Sequence, residues 1–402
     1  MEIRPILSAL MRSKIVLILI GLQIALTLAI VCNASFIIVQ RFGLMARPSG
    51  MDEANTLQIS SLGMEDHFDV RATIIQDLQV LRGLPGVADV ATINRLPMGQ
   101  SGWSTGISLT PDQKNSTLST AVYMTDEHAI SALGASLIAG RNFRTDEIEF
   151  RNQRDPDWPP GIIITRAIAE RLFPGQEAVG KQLYLDQKAA PNTVIGVLDR
   201  LQAPWLDSED VEYSILAPQI RPYGDESRYV VRAEPGRRDE VYKAAEAKLD
   251  EINHDRLIRM KTVEEIRLAG YRSDRMMATI LALVIASLLA ITALGIVGMA
   301  SFWVAQRTRQ IGTRRALGAS RRQILRYFQT ENFVITSLGL LFGSVLAYAF
   351  NAWMIANYEA VRLPWYYLPA GFVALWTLGQ IAVLGPATRA SRIAPATATR
   401  SV

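Results

Sequence analysis

Cysteine and histidine are nearly absent, with one of the first and three of the second in 402 residues. Cys32 therefore has no intramolecular disulfide partner, and the redox compartment cannot be read from it. His67, His128 and His254 are too scattered for metal-ligand spacing. No Ser/His/Asp arrangement stands in a supporting context, so a nucleophilic hydrolase is not indicated and no catalytic role is expected of this chain. Charge is missing locally. Although 20% of residues are charged, four stretches carry none: Ile15 to Gln40, Met276 to Gln306, Asn332 to Tyr358 and Leu363 to Thr388. Each exceeds the roughly 20 residues that a helix needs to cross a hydrocarbon core. Four membrane-spanning helices are expected. The first could suggest a cleaved signal, because Cys32 and Ala34 are small, but its apolar run continues through "FIIV". That is too long for a signal core, so an uncleaved anchor is expected.

What is abundant is arginine between the second and third spans: Arg307, Arg309, Arg314, Arg315, Arg321, Arg322 and Arg326, with no acid before Glu331. Arg4, Arg12 and Lys14 precede the first span, and Arg389, Arg392 and Arg400 follow the last. Positive charge of this kind marks cytoplasmic segments. The expected order is a cytoplasmic segment (1–14), a first span (15–40), an outer domain (42–275) and a second span (276–306). A cytoplasmic loop (307–325), a third span (326–358), a short outer loop near Glu359 to Arg362, a fourth span (363–388) and a cytoplasmic tail (389–402) follow.

The outer domain reads as α+β. "TLQISSLG" is a strand, "VRATIIQDLQVLRGLPG" a helix with Ile74, Ile75, Leu78 and Leu81 on one face, and "VADVATINRLP" a strand. "RYVVRAEPG", a helix with Val241, Ala245 and Leu249 in one stripe, and "RLIRM" repeat that pattern. Two such units point to a ferredoxin-like sandwich, with a mixed α/β insertion over roughly residues 125–220. Within the insertion, "GQEAVGK" has the G-x-x-x-x-G-K spacing of a phosphate loop. Gln182 stands where Mg²⁺ needs Ser or Thr, a helix precedes the loop, and the outer location separates Lys181 from cytoplasmic ATP. A structural turn is expected. The acids of "TDEIEF" read as a solvated face, and Trp205 as a packed aromatic or a binding spot. From Lys261 one helix is expected to run straight into the second span, with Gly270 as its weak point.

The loop "RTRQIGTRRALGASRRQILRYFQTE" reads as a short helix, a stop at Gly318, and a Ser320/Gln323 capping box that opens the next helix. Arg321 and Arg322 oppose the macrodipole in that first turn. Anionic lipid headgroups would account for the arginines. Ile311, Ala316 and Leu317 add an apolar component that points instead to a protein partner. In the third span, Gly339 and Gly343 form a G-x-x-x-G, suited to pairing between chains or to packing within one bundle.

The segment "QIGTRRALGASRRQILRYFQTENFVITSLGLLFG" resembles the signature of the MacB/FtsX-like permease family of ABC transporters. "LPGVADV", "LIAGRNF", "ITRAIAERLFPGQEAVGKQL" and "TVIGVLDR" are similar to that family's periplasmic core domain, and "PATRASRIAPATATR" to its basic end. The resemblance implies a four-helix inner-membrane protein with both termini cytoplasmic and a large α+β periplasmic domain, ferredoxin-like porter plus insertion. It implies a coupling contact on Arg307, Gln310, Ile311, Gly312, Arg314, Arg315, Ala316, Leu317 and Gly318. An ABC ATPase subunit, binding ATP and Mg²⁺ itself, would dock there, leaving no cofactor on this chain. Gln310 departs from an acidic residue frequent at its position in the family. The further partners implied are a second permease chain, identical or different, membrane lipid, a membrane-fusion adaptor and an outer-membrane channel; no nucleic acid is implied. Two functions fit: export of peptides, antibiotics or lipid-linked cargo, and mechanical regulation of a cell-wall hydrolase.

Overall fold

The first charge-free run forms helix α1 (Lys14–Met45) of the computed structural model. The structure describes residues 14–393 except 66–67, 112, 114, 156, 187, 189, 209 and 359–360. Arg4, Arg12, His67, Glu359 and Arg400, which entered the reading above, lie outside the described residues. The chain divides into two units, one of Met1–Met45 with Asp274–Val402 and the other of Ala46–Ser273.

In the second unit, strand β1 (Thr56–Gly63), helix α2 (Val70–Arg82) and strand β2 (Val87–Thr92) follow the expected pattern. They join strand β11 (Glu226–Ala233), helix α5 (Arg238–Ile252) and strand β12 (Arg256–Thr262). The four strands form an antiparallel sheet in the order β12-β1-β11-β2. Asp69 caps α2 by accepting from the Ala72 amide. Ile74, Leu78 and Leu81 from α2 and Val241, Ala245 and Leu249 from α5 enter the core against Ile59, Tyr229 and Val231. Ile75 does not: it is 53% exposed, because 100° per residue carries it past the edge of the stripe. One ion pair lies inside this core. Arg256 meets Asp77 at 2.7 Å with both side chains 1% exposed, Tyr229 donates to the same carboxylate, and Arg256 also donates to the Leu249 carbonyl. Burial raises the Asp77 carboxyl above its usual range, opposed by Arg256.

The insertion is a closed sheet and begins earlier than residue 125. Its strands are β3 (Trp103–Ser108), β4 (Leu118–Thr125), β5 (Leu137–Gly140), β6 (Glu149–Phe150), β7 (Gly161–Thr165), β8 (Gln182–Leu185), β9 (Asn192–Leu198) and β10 (Ser214–Ile220). The order β4-β3-β8-β9-β7-β10 closes because β10 also pairs with β4, in parallel. The interior is filled by Ile107, Val122, Ile162, Ile164, Leu185 and Ile215, as a small barrel requires. Helix α4 (Arg166–Leu172) packs on β7 and β9 of this sheet, whereas helix α3 (Ala129–Leu133) packs on β2 and β11 of the four-stranded sheet. The phosphate-loop lookalike is the connection from α4 to β8. Gly175 and Gly180 have φ of 71° and 82°, the Gly180 amide donates to the Val194 carbonyl, and Lys181 Nζ donates to Gln176. The segment opens a strand, and its Gln176 and Lys181 amides donate to the Phe173 and Ala178 carbonyls, so it makes a turn. Among the acids of "TDEIEF", Glu147 is held by Arg141, which lowers its carboxyl to about 2. Trp205 is half-buried.

The expected continuous helix from Lys261 is two helices. β12 extends to Thr262, and Thr262 and Glu265 then exchange capping-box bonds that start helix α6 (Val263–Gly270). Tyr271 ends it, and helix α7 (Arg272–Gln306) begins at the next residue. Gly270 is needed where the chain breaks: a Cβ there would lie 3.0 Å from the Met98 carbonyl and 2.9 Å from Leu206.

In the first unit, helix α8 (Thr308–Ala316) follows α7, and then come helix α9 (Arg321–Tyr358) and helix α10 (Tyr367–Ser391). Helices α1, α7, α9 and α10 are each long and apolar enough to cross a membrane. Gly339 and Gly343 of α9 face α1, where added Cβ atoms would meet Ile24 at 2.9 Å and the Ala25 carbonyl at 2.9 Å. The G-x-x-x-G is thus used inside this chain's bundle. Gly371 of α10 likewise abuts Leu28 and Cys32 of α1, and the Thr27 and Thr292 hydroxyls bond at 2.9 Å. Asn351 accepts from the Leu363 amide and so ties the end of α9 to the approach to α10.

Candidate functional site

The arginine-rich loop is built as a stop, a turn and a restart. Helix α8 ends at Leu317, and Gly318 adopts φ of 96°, a left-handed value that a residue without Cβ takes at little cost. The Ala319 amide closes the turn on the Arg314 carbonyl at 3.0 Å. Ser320 and Gln323 exchange the two bonds of a capping box, at 2.8 and 3.3 Å, and start α9.

Three contacts pin α8 to its own bundle. Arg307, at the helix start, bonds both oxygens of Glu331 at 3.0 and 3.1 Å and lies near the Tyr327 hydroxyl at 3.3 Å. Its guanidinium also sits 5.5 Å from the centre of the Trp303 ring. Glu331 is 1% exposed, so a carboxylate in an apolar helix is balanced by a cation delivered from the loop. Ile311 is buried with Ile324, Phe328, Ala387 and Ala390. Gly312 is buried beside it. At the other end, Arg315 donates to the Ser391 carbonyl at the end of α10.

These contacts divide the expected coupling residues. Arg307, Ile311 and Gly312 face inward, toward an acid and an apolar pocket that both lie within this chain. Gln310, Arg314, Ala316, Leu317 and Gly318 are exposed, and Arg315 is half-buried. Leu317 is 84% exposed, an apolar side chain presented at the tip of a basic turn. Arg314 stacks its guanidinium 5.3 Å from the Tyr327 ring. Arg309, Arg321 and Arg322 are exposed around the tip. The sequence reading missed Glu331, Tyr327 and the Ile324/Phe328 pair as determinants of the loop. A lone acid in an apolar run and an i, i+4 apolar pair at the start of a helix are the signals that could have found them.

No group of three or more His, Cys, Asp or Glu able to hold a metal occurs among the described residues. The exposed side of the loop presents cations around an exposed leucine.

Residues 19–249 match the family of MacB-like periplasmic core domains, and residues 282–395 match the FtsX-like permease C-terminal family. Three curated relatives are similar. The macrolide export ATP-binding/permease protein MacB of Chromobacterium violaceum is 27% identical over 54% of this chain and 33% of its own length. The uncharacterized ABC transporter permease YknZ of Bacillus subtilis is 26% identical over 59% of this chain and 61% of its own. The pyoverdine export ATP-binding/permease protein PvdT of Pseudomonas syringae pv. tomato is 29% identical over 60% of this chain and 37% of its own. The matches thus span between about a third and three-fifths of these relatives. Among solved structures, the periplasmic region of MacB from Actinobacillus actinomycetemcomitans aligns at a TM-score of 0.35 and 15% identity, covering 56% of this chain and 97% of that one. With the core-domain match covering more than half of its residues and the permease match most of its C-terminal helices, the chain belongs to the MacB/FtsX-like family of ABC transporter permeases.

Proposed function

We propose that this permease couples ATP hydrolysis by an ABC ATPase on another chain to conformational work in its outer domain, and that the work serves export. The supporting observation is the division of the loop into an anchored side and an exposed side. Arg307–Glu331, Ile311 and Arg315–Ser391 fix α8 on the bundle, so a force applied at Leu317 is carried into α9 and α10. The exposed arginines steer an acidic rim, and Leu317 fills an apolar pocket in it. In this reading the loop and both termini are cytoplasmic, and Ala46–Ser273 is periplasmic.

The same reading assigns the four-stranded unit to the ferredoxin-like porter class, on its β12-β1-β11-β2 order and two helices packed on one face. Two permease chains pair, and a membrane-fusion adaptor and outer-membrane channel complete the pathway. Export is favoured over control of a hydrolase because MacB and PvdT are named as export proteins. The mechanical alternative keeps one supporting observation: among the described residues, Asn351 within the bundle bonds through both its amide nitrogen and its oxygen to backbone atoms of the chain itself, leaving it little capacity to bind solute.

The test is a pull-down. Leu317→Asp in the full-length permease should release the co-expressed ATPase, since burying a leucine contributes about 1.5–3 kcal/mol and burying an aspartate there costs more. Gln310→Ala should retain it. Undiminished recovery of the ATPase with Leu317→Asp would remove the docking assignment.

A further inference from the structure

The outer unit contains a second concentration of arginine that the coupling reading does not use. On the sheet face turned away from α2 and α5, Ser60 lies opposite both Arg228 and Arg259, and Gln58 lies opposite Lys261. These residues floor a cavity of about 350 Å³, walled by Arg95 and Met98–Gln100 on one side and by Ile266 to Gly270 of α6 on the other. Four cations, Arg95, Arg228, Arg259 and Lys261, and one acid, Glu226, line it. Glu226 is taken by Arg228, whose other nitrogen donates to the Asn94 carbonyl at 2.8 Å. Among the described residues, the side chains of Arg95, Arg259 and Lys261 make no hydrogen bond or ion pair with any group.

A solvated basic face would spread such charges over a convex surface. Here they converge on a concavity, and one of them is largely withdrawn from water: the Arg228 side chain is 10% exposed. Burial and the neighbouring charge of Arg95 hold Arg228 below its usual range, the sign of cations placed near each other without enough counter-charge. The wall is itself unusual. Met98 and Gln100 both have positive φ, at 65° and 61°, and the Gln100 side chain donates through Nε2 to the Gly270 carbonyl at 2.9 Å. Non-glycine residues rarely occupy that region unless the surroundings hold them there, and such residues concentrate at ligand clamps. A second cavity of about 140 Å³ shares Arg95, Glu226 and Arg228 and adds Arg221, whose Nε is buried without a partner, and the Trp103 ring.

We propose that this cavity binds a small soluble polyanion bearing carboxylate or phosphate groups, with Arg95, Arg228, Arg259 and Lys261 as its counter-charges. Guanidinium forks match both oxyanions in geometry, and the cavity volume suits a small molecule rather than a peptide or protein domain. The ligand chemistry is shared by free anions and lipid headgroups. The site belongs to the unit that does not carry the four long apolar helices, which favours the free anion. The site lies wholly within Ala46–Ser273 and does not depend on the coupling reading, so the two can fail separately.

The test uses full-length permease in nanodiscs of zwitterionic phosphatidylcholine, titrated calorimetrically with citrate and with pyrophosphate at low ionic strength. Saturable binding of at least one is expected, weakening as salt is raised. Lys261→Gln and Arg259→Gln, both on the exposed strand β12, should each weaken it about tenfold, and Arg95→Gln as much or more. The variants' circular dichroism should match wild type, which separates loss of binding from loss of fold. Binding of neither anion, equal binding by all three variants, or binding only when phosphatidylglycerol is supplied would each overturn the proposal.

Discussion

Arg307 and Glu331 hold the position of the loop on the bundle. A carboxylate 1% exposed inside an apolar helix is tolerable only while a cation reaches it, and removing one partner of such a pair strands the other. Arg307→Ala should therefore destabilise the permease by about 3–5 kcal/mol, while Arg307→Lys, which keeps the charge but loses the fork, should cost less. Thermal unfolding in detergent, followed by tryptophan fluorescence, checks both. A second residue makes the outer unit sensitive to pH. Asp126 is 2% exposed and accepts from the Thr92 and His128 amides and from Arg82. Burial pushes its carboxyl from 3.8 up to about 6. The folded state thus holds the proton more tightly than the unfolded chain. The stability this contributes is complete below about pH 4 and is lost as pH rises through about 6, a fall of roughly 3 kcal/mol. Asp126→Asn cannot ionise, so its unfolding midpoint should drop less than that of wild type between those pH values. Identical pH profiles would show that Asp126 does not titrate as its burial requires.

Among the elements, α1 and α9 make the most extensive helix contact, and glycine makes it possible. An added Cβ at Gly343 would stand 2.9 Å from the Ala25 carbonyl and 3.0 Å from its Cα, both backbone atoms that cannot rotate away. Gly343→Ala should push the helices apart and cost about 1–3 kcal/mol. Gly298→Ala in α7, where a Cβ meets nothing within 4 Å, should be neutral or stabilising by up to about 1 kcal/mol. Comparing the two unfolding midpoints isolates packing from helix propensity. Which elements form was largely legible in advance. β1 occupies the quoted strand, α5 buries the stripe read from its spacing, and Ser320/Gln323 caps α9, because each depends on residues a few positions apart. What was not legible depends on distant partners. The closing β4–β10 pair joins residues about ninety positions apart, and the polar content of "LSTAVYMT" hides a strand buried at six of its eight residues. The break between α6 and α7 was missed because it rests on Gly270 lying against the Met98 carbonyl and Leu206, which are far away in the sequence.

For the whole molecule, the account rests on one surface. The four spans, the outer sheet and the family could be read from apolar runs, alternation and motif. The basic loop was legible as a segment, but the inward turn of Arg307 and Ile311 was not, because it depends on Glu331 and on α10, outside the loop. The loop's exposed leucine and arginines have to meet an ATPase for the transporter reading to hold. The most direct measurement places the photo-crosslinker p-benzoylphenylalanine at Leu317 in the full-length permease co-expressed with its ABC ATPase. Irradiated membranes should yield a permease–ATPase adduct from Leu317 and none from Ile311, which is buried against α9 and α10. Absence of the adduct at Leu317 while the two proteins still co-purify, or an adduct formed equally well from Ile311, would contradict the account.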